Sequence, residues 1–427
     1  MKVLWVTDLF ARDGQSALQS GGTAPARATA AALAALRGAA GLELAVVLSG
    51  EGARNGFQMV DGMDHYVVAE AGAGYGMDPA ALRQAIGHAR PDIVHVDAPL
   101  QPRAAAVAAA FGGPLVVTMG RCIGTGDDRA AAALPLARWA CGLHRPRRAL
   151  LAANLLAEAR FATASGRAAE EMLLRRADRI IGRTGWDRAY AALLGPCTPF
   201  GMVMPIQPAS LENLSAGPRQ YERNSIFLAS ADDAQSGAHI VIQALALLCQ
   251  NFDNISLVIG AGRSAHGVRS SRSARRYRAY LAWQIETLGL MNRVRFAADD
   301  STGPCDDGGL PHAHIFVSPS LAGHMTEPLG EAMMLAMPCV CAFAGGAPEF
   351  ARPDREALYY RAEDPVGLAH QLARVMRCAG LGEALGAAAR RRAMTIFDRA
   401  ASRDRLLAGY RALAGQARVT DIEREAA

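Results

Sequence analysis

Carboxylates, glycine pairs and a strand-end arginine are the groups in this sequence that could meet a ligand. Glu331 follows a loop and opens the helical run EAMMLAM, with Glu327 one helical turn before it. An acid near a helix N-terminus is favourable by about 0.3–1 kcal/mol without any ligand. Gly21 and Gly22 follow a polar loop and precede an alanine-rich stretch. There glycine lets the backbone approach a ligand, and a helix N-terminus favours phosphate. Arg263 stands just after the strand-like VIGAG. Lys2 is the only lysine among 45 basic residues, so any cationic clamp on phosphate has to be an arginine. No Ser-His-Asp order, Walker loop or metal-ligand spacing stands out.

These groups need a scaffold, and the apolar pattern describes one. The runs KVLWVT (2–7), ELAVVLS (43–49), DIVHV (92–96), PLVVTM (114–119) and RIIGRT (179–184) read as buried parallel strands. Alanine-rich stretches at 24–37, 79–89 and 102–111 read as the helices between them. Residues 195–220 are rich in Pro, Gly and Ser and lack periodicity, as a linker does. The rhythm restarts with SIFLAS (225–230), a helix near 237–250, ISLVIGAG (255–262), VRFAA (294–298), HIFVSPS and PCVCAF. Arginine-rich 268–287 reads as a solvated helix, and helices near 365–376, 381–394 and 399–414 close the chain. The predicted class is α/β, with two Rossmann-like doubly wound domains facing across a cleft. The boundaries are 1–200, a linker at 201–222, and 223–396, with a helix at about 397–416 returning to the first domain.

Composition narrows the function. At 427 residues, 51% apolar and 20% charged, the chain is globular and long enough for two cores. A net charge of +5 suits a small anionic ligand or a membrane surface and is too small to argue for nucleic acid. Eight scattered cysteines without a C-x-x-C pair read as a reduced cytosolic protein with no zinc site. The opening MKVLWVTDLF reaches Asp8 too soon for a signal peptide, and no apolar run is long enough for a transmembrane helix.

The segment HIFVSPSLAGHMTEPLGEAMMLAMPCVCAFAGGAPEF, from His314 to Phe350, resembles the donor-nucleotide end of family 4 glycosyltransferases, which retain anomeric configuration and have the GT-B fold. RIIGRTGWDRA (179–189) resembles a stretch of one bacterial subgroup, as do SIFLASADDAQSGAHIVIQALALL and FDRAASRDRLLAGY. The resemblance covers nearly the whole chain. It implies that the second glutamate of a Glu-x7-Glu motif is Glu331, beside Gly330, and that it holds the ribose of a nucleotide. The first glutamate falls on Gly323, which supplies no carboxylate, so the motif is degenerate. Glu327 is then the nearest acid to the sugar-transfer site; a solvated loop acid is the plainer reading. Ser230 and Ser236 occupy the stretch where the family carries its Arg and Lys phosphate clamp, and Arg263 is the nearest substitute. Gly345 and Gly346 with Glu349 resemble the family's G-G-x-P-E turn, and Gly21–Gly22 its first phosphate-side loop.

The implied function is transfer of a hexosyl-type sugar, with retention, from a nucleotide-diphosphate sugar to a glycan, lipid-linked or small-molecule acceptor. It calls for no cofactor and no metal. Asp97, Arg103 and Arg121 are acceptor-side candidates, whereas His95 reads as a core histidine. Arg183, Trp186 and Asp187 read as structural. The alternative is a catalytically degenerate GT-B protein acting as a nucleotide-sugar-binding or partner subunit, favoured by Gly323 and Ser236. A sugar-nucleotide epimerase or phosphorylase on the same fold has no supporting signature. The place of work is the cytoplasm, with peripheral contact at the inner membrane face through Arg145, Arg147 and Arg148 as one option and plain solvation as the other.

Overall fold

The computed structural model describes residues 1–7, 24–50, 54–71, 76–97, 102–120, 168, 170–195, 198–212, 221–231, 233–260, 272–297, 312–321 and 326–425. The chain divides into two compact units. One contains Met1–Ile123, Ser165–Gln207 and Phe397–Ala427, and the other contains Pro208–Ile396.

The sheet of the first unit is built from β1 (Lys2–Thr7), β2 (Glu43–Gly50), β3 (Gly56–Val60), β4 (Met63–Ala71), β5 (Gly76–Met77), β6 (Ile93–Asp97), β7 (Leu115–Thr118), β8 (Arg179–Gly182) and β9 (Phe200–Met202). Its order is β3-β4-β2-β1-β6-β7-β8-β9, with β5 against β4. Among the described strands, only β3 and β5 pair antiparallel. Alternate residues of β1 feed opposite layers: Leu4 and Val6 join one core with Val94 and Val117, while Val3 and Trp5 join another with Ile93 and Val116. Burial on both faces is why these strands read as continuous apolar runs.

Helices α1 (Ala24–Leu36), α2 (Pro79–Ala89), α3 (Pro102–Ala110) and α4 (Gly185–Leu194) belong to this unit. Their ends follow from local chemistry. Asp78 caps α2 by accepting from Ala80 N and Ala81 N, with Pro79 in the first turn, and Arg90 ends it in the left-handed region. Thr184 and Asp187 form a reciprocal capping box at the start of α4.

The second unit holds β10 (Glu222–Leu228), β11 (Ser256–Ile259), β12 (Val294–Phe296), β13 (Ala313–Ser318), β14 (Cys339–Phe343) and β15 (Ala357–Arg361). All neighbours are parallel, in the order β12-β11-β10-β13-β14-β15. Numbered within the unit this is 3-2-1-4-5-6, the doubly wound order, which reverses direction between β10 and β13. Its helices are α5 (Ala238–Leu248), α6 (Arg272–Thr287), α7 (Thr326–Met334), α8 (Pro365–Arg377) and α9 (Ala379–Ile396). The α6 segment differs from the solvated helix expected of its arginines. Tyr277, Tyr280, Leu281, Gln284 and Ile285 are buried, a stripe at helical spacing that packs on the sheet.

The last helix, α10 (Arg399–Glu425), belongs to the first unit. Leu406, Leu407, Tyr410 and Leu413 bury one face of it in the core of Val3, Trp5 and Ile93. Gly409 gives the Arg179 side chain room to pass, since a Cβ there would lie 2.9 Å from its Nε. The chain leaves the first unit at Gln207, inside the stretch the sequence marks as linker, whose first residues, Gly201 and Met202, are part of β9.

Candidate functional site

In open doubly wound sheets a ligand sits outside the carboxyl ends of the strands where the strand order reverses. In the second unit that point lies between β10 and β13. The chain leaving β10 passes Ala229 and Ser230 and folds into a 3₁₀ turn at Ala234–Ser236. Asp233 caps the turn by accepting from Ser236 N at 3.0 Å, and the Ser236 hydroxyl donates to the Asp233 carbonyl at 2.5 Å. Ser236 is buried and its hydroxyl serves its own turn. Gly237 follows in the left-handed region, φ 72°, and starts α5 without a side-chain cap.

Both flanks of this loop press backbone against backbone. A Cβ on Gly237 would lie 2.2 Å from the Pro319 carbonyl oxygen, and one on Gly260 would lie 2.4 Å from that of Ala229. Only glycine tolerates such contacts. Leu321 N donates to Gln235 O at 3.0 Å, which joins the β10 loop to the β13 loop. The β13 loop, with Ser318 and Ser320 buried, leads towards α7.

Helix α7 carries Gly330 and Glu331, both buried; Glu331 has no exposed surface at all. A carboxylate so placed costs stability unless it is partnered. Two arginines of α9 fix the elements behind it. Arg390 donates to the Met334 carbonyl at the end of α7. Arg392 donates to the Glu349 and Phe350 carbonyls of the single-turn helix Ala347–Phe350. Cations at helix carboxyl ends are favourable through the exposed carbonyls. Gly386 lets α9 lie against the turn after α7, where a Cβ would sit 2.1 Å from Ala336 O. Gly345 and Gly346 follow β14, the next strand of the sheet. Gly345 is left-handed at φ 51° and exposed, and Gly346 is the N-cap of the single-turn helix, which packs on α7.

Ser230, Ser236, Gly330, Glu331, Gly345 and Gly346 thus stand on segments that follow three adjacent strands. Glu327 lies on α7, with its side chain outside the described residues. Gly21, Gly22, Arg263 and Gly323 lie outside them entirely, as does Arg121. Lys2 is at the opposite, amino end of the first sheet, paired with Glu43 at 2.6 Å and Asp64 at 3.2 Å.

The first sheet reverses between β1 and β6. There the Thr29 hydroxyl donates to the Asp97 carboxylate at 2.5 Å. His95 is fully buried; its Nδ1 meets the Tyr410 hydroxyl at 2.6 Å and its Nε2 meets the Thr118 hydroxyl at 2.7 Å. Burial lowers its pKa to about 3, so it is neutral and is no acid or base near pH 7. Asp187 accepts from the Arg183 and Thr184 backbone amides, and Trp186 stacks on Tyr190. Both contacts are local to the start of α4.

Sequence reasoning missed the groups behind the β10 loop. His239 Nδ1 lies 2.9 Å from the Tyr277 hydroxyl, which also accepts from His239 N at 3.3 Å. Gln284 Nε2 donates to the His239 carbonyl. The spacing of Tyr277, Tyr280, Leu281 and Gln284 was the available signal. Among the described residues no group of His, Cys, Asp and Glu is placed to hold a metal, and no helix is long and apolar enough to cross a membrane.

Residues 213–392 match the family model described as glycosyl transferases group 1. No curated protein matches the chain by sequence. Solved structures do match. Sucrose-phosphate synthase from Thermosynechococcus elongatus is similar with a TM-score of 0.69 at 15% identity, covering 97% of this chain and 99% of that one. HepE from Anabaena, in complex with UDP and glucose, has a TM-score of 0.65 at 16% identity, covering 96% and 100%. The α,α-trehalose 6-phosphate synthase from Burkholderia multivorans has 0.63 at 13%, covering 98% of both chains. Likeness at such identity establishes the fold: two Rossmann-like units of the GT-B type.

Proposed function

We propose that this protein is a retaining, hexosyl-type glycosyltransferase whose nucleotide-diphosphate sugar binds at the strand-order reversal of the second unit. The observation that carries the reading is the joined pair of loops after β10 and β13, set beside Gly330, Glu331 and the Gly345–Gly346 turn. The family-model match falls on the same unit. Glu331 takes the ribose hydroxyls. The backbone of the Ser236–Gly237 turn and of the Gly345–Gly346 turn lies against the diphosphate and sugar. As the bond from the anomeric carbon to phosphate breaks, charge gathers on the departing diphosphate. The acceptor hydroxyl oxygen bonds to that carbon on the same face, and its proton passes to the departing diphosphate. Catalysis then rests on positioning and on stabilising that leaving group. Lys2, the one lysine, is paired with Glu43 and Asp64, so the cation facing the diphosphate is an arginine, and Arg263 is the sequence's candidate. The acceptor is a glycan, a lipid-linked sugar or a small molecule, with Asp97 as the sequence's candidate contact. The cytoplasm is the proposed place of work; membrane contact through Arg145, Arg147 and Arg148 rests on the sequence alone, as those residues lie outside the described ones.

A second reading, a nucleotide-sugar-binding partner without turnover, draws on one structural observation. The Ser236 hydroxyl, at the expected lysine position, is engaged by its own turn, and Gly323 offers no carboxylate. Binding and turnover with a panel of UDP-, GDP- and ADP-sugars separates the two. For the enzyme, Glu331→Ala lowers nucleotide affinity by about tenfold or more and abolishes turnover, as loss of hydrogen bonds to a charged acceptor does. Normal turnover in that variant overturns the assignment. Binding without turnover that survives Gly323→Glu favours the partner protein.

A further inference from the structure

Tyr277 sits on α6, outside every segment that the resemblance or the family's motifs single out. It nevertheless braces the start of α5, two residues after the Gly237 that ends the β10 turn. Its ring is fully buried, and two contacts converge on its hydroxyl, both from His239. The Tyr277 oxygen accepts from the His239 backbone amide at 3.3 Å, and its hydroxyl pairs with the imidazole Nδ1 of the same residue at 2.9 Å. The His239 amide, one of the first donors of α5, is thereby satisfied inside the protein. Gln284, two turns along α6, takes the carbonyl of the same residue at 3.1 Å.

We infer that Tyr277 is a positioning residue for the donor site, setting the height and tilt of the Ser236–Gly237 turn against the Pro319 loop. The inference rests on the donor-site reading above. The turn has little latitude: Gly237 touches the Pro319 carbonyl, and Gln235 is bonded to Leu321. A shift at Ser236 is therefore passed to the β13 loop and to the approach of α7. Core contacts hold the α6 backbone independently, through Tyr280, Leu281 and Ile285, so the hydroxyl can be removed with the ring left in place.

The test is Tyr277→Phe, with Tyr360→Phe as its control. Tyr360 is buried in the same core, and its hydroxyl has no hydrogen-bond partner among the described residues. Amide hydrogen exchange of the full-length protein without ligand, and the kinetics of both substrates, are measured on each. Tyr277→Phe is expected to speed exchange at Ser236–Val241 and to raise donor KM roughly five- to twentyfold, the effect of one or two lost hydrogen bonds. Acceptor KM and kcat should stay within about twofold, and Tyr360→Phe should change none of these. Unchanged exchange at Ser236–Val241 overturns the inference whatever the kinetics show. So do equal changes in donor and acceptor KM, or an equal effect from Tyr360→Phe. A wild-type protein that binds no nucleotide sugar overturns the donor-site reading and this inference with it.

Discussion

His95 in the first unit and His239 in the second are both fully buried, and each presents Nδ1 to a tyrosine hydroxyl, Tyr410 at 2.6 Å and Tyr277 at 2.9 Å. Their surroundings differ. His95 lies within a strand and is satisfied at both nitrogens by side chains, with Trp5 edge-on at 4.2 Å. The Tyr410 bond spans 315 positions and returns the last helix to the first sheet. His239 opens a helix, its partner lies 38 positions away, and its backbone takes part through both amide and carbonyl. One pair closes the fold, and the other braces the start of a helix beside a strand-order reversal. The same two residue types therefore carry no fixed meaning; what they brace decides it.

The largest expected effect breaks the second bracing directly. Gly237→Val places a Cβ on the Pro319 carbonyl in a left-handed conformation and is expected to cost about 3 kcal/mol or more by urea denaturation. Gly409→Ala is the first-unit counterpart. Its new Cβ meets the flexible end of Arg179, so the cost is expected near 1 kcal/mol. Equal losses would erase the contrast between a rigid backbone contact and a yielding side chain. Next in size is Tyr410→Phe, which leaves a buried imidazole nitrogen unpaired. About 1–3 kcal/mol should be lost from stability, with donor KM unchanged. A raised donor KM would blur the distinction between the pairs.

The smallest and most general effect is on pH. Burial lowers both histidines from the usual 6.5 to about 3. Between those values the unfolded chain binds protons that the folded chain refuses. Stability from this source is complete above pH 6.5, falls as pH drops towards about 3, and is flat below that. The slope is up to roughly 1.4 kcal/mol per pH unit for each histidine. Denaturation at a series of pH values should show a shallower acid limb for His95→Gln and for His239→Gln. An unchanged limb in either would mean that the histidine is already protonated in the fold.

Much of the sheet was legible because parallel strands buried on both faces are uninterrupted apolar runs. The β3–β4 hairpin was overlooked although Asp61–Gly62 marks it. Both residues adopt positive φ, 51° and 76°, as a tight hairpin turn requires. The strand ALYYR at β15 was passed over because it is short and follows charged residues. In α6 the density of arginine outweighed the buried tyrosine stripe on the opposite face. Glu331 stands out as a site candidate only through resemblance, since a first-turn glutamate has an ordinary reason to exist. The histidine–tyrosine pairs were beyond sequence reasoning: their partners meet only after the sheets have formed.

The central claim is that a nucleotide sugar binds at the β10–β13 reversal. Photo-crosslinking the full-length protein with azido-nucleotide sugars, followed by peptide mapping, tests it most directly. The account predicts label in peptides from 223–396, competed by unmodified donor and reduced in Glu331→Ala. Label confined to the first unit, or none that donor competes, would contradict it.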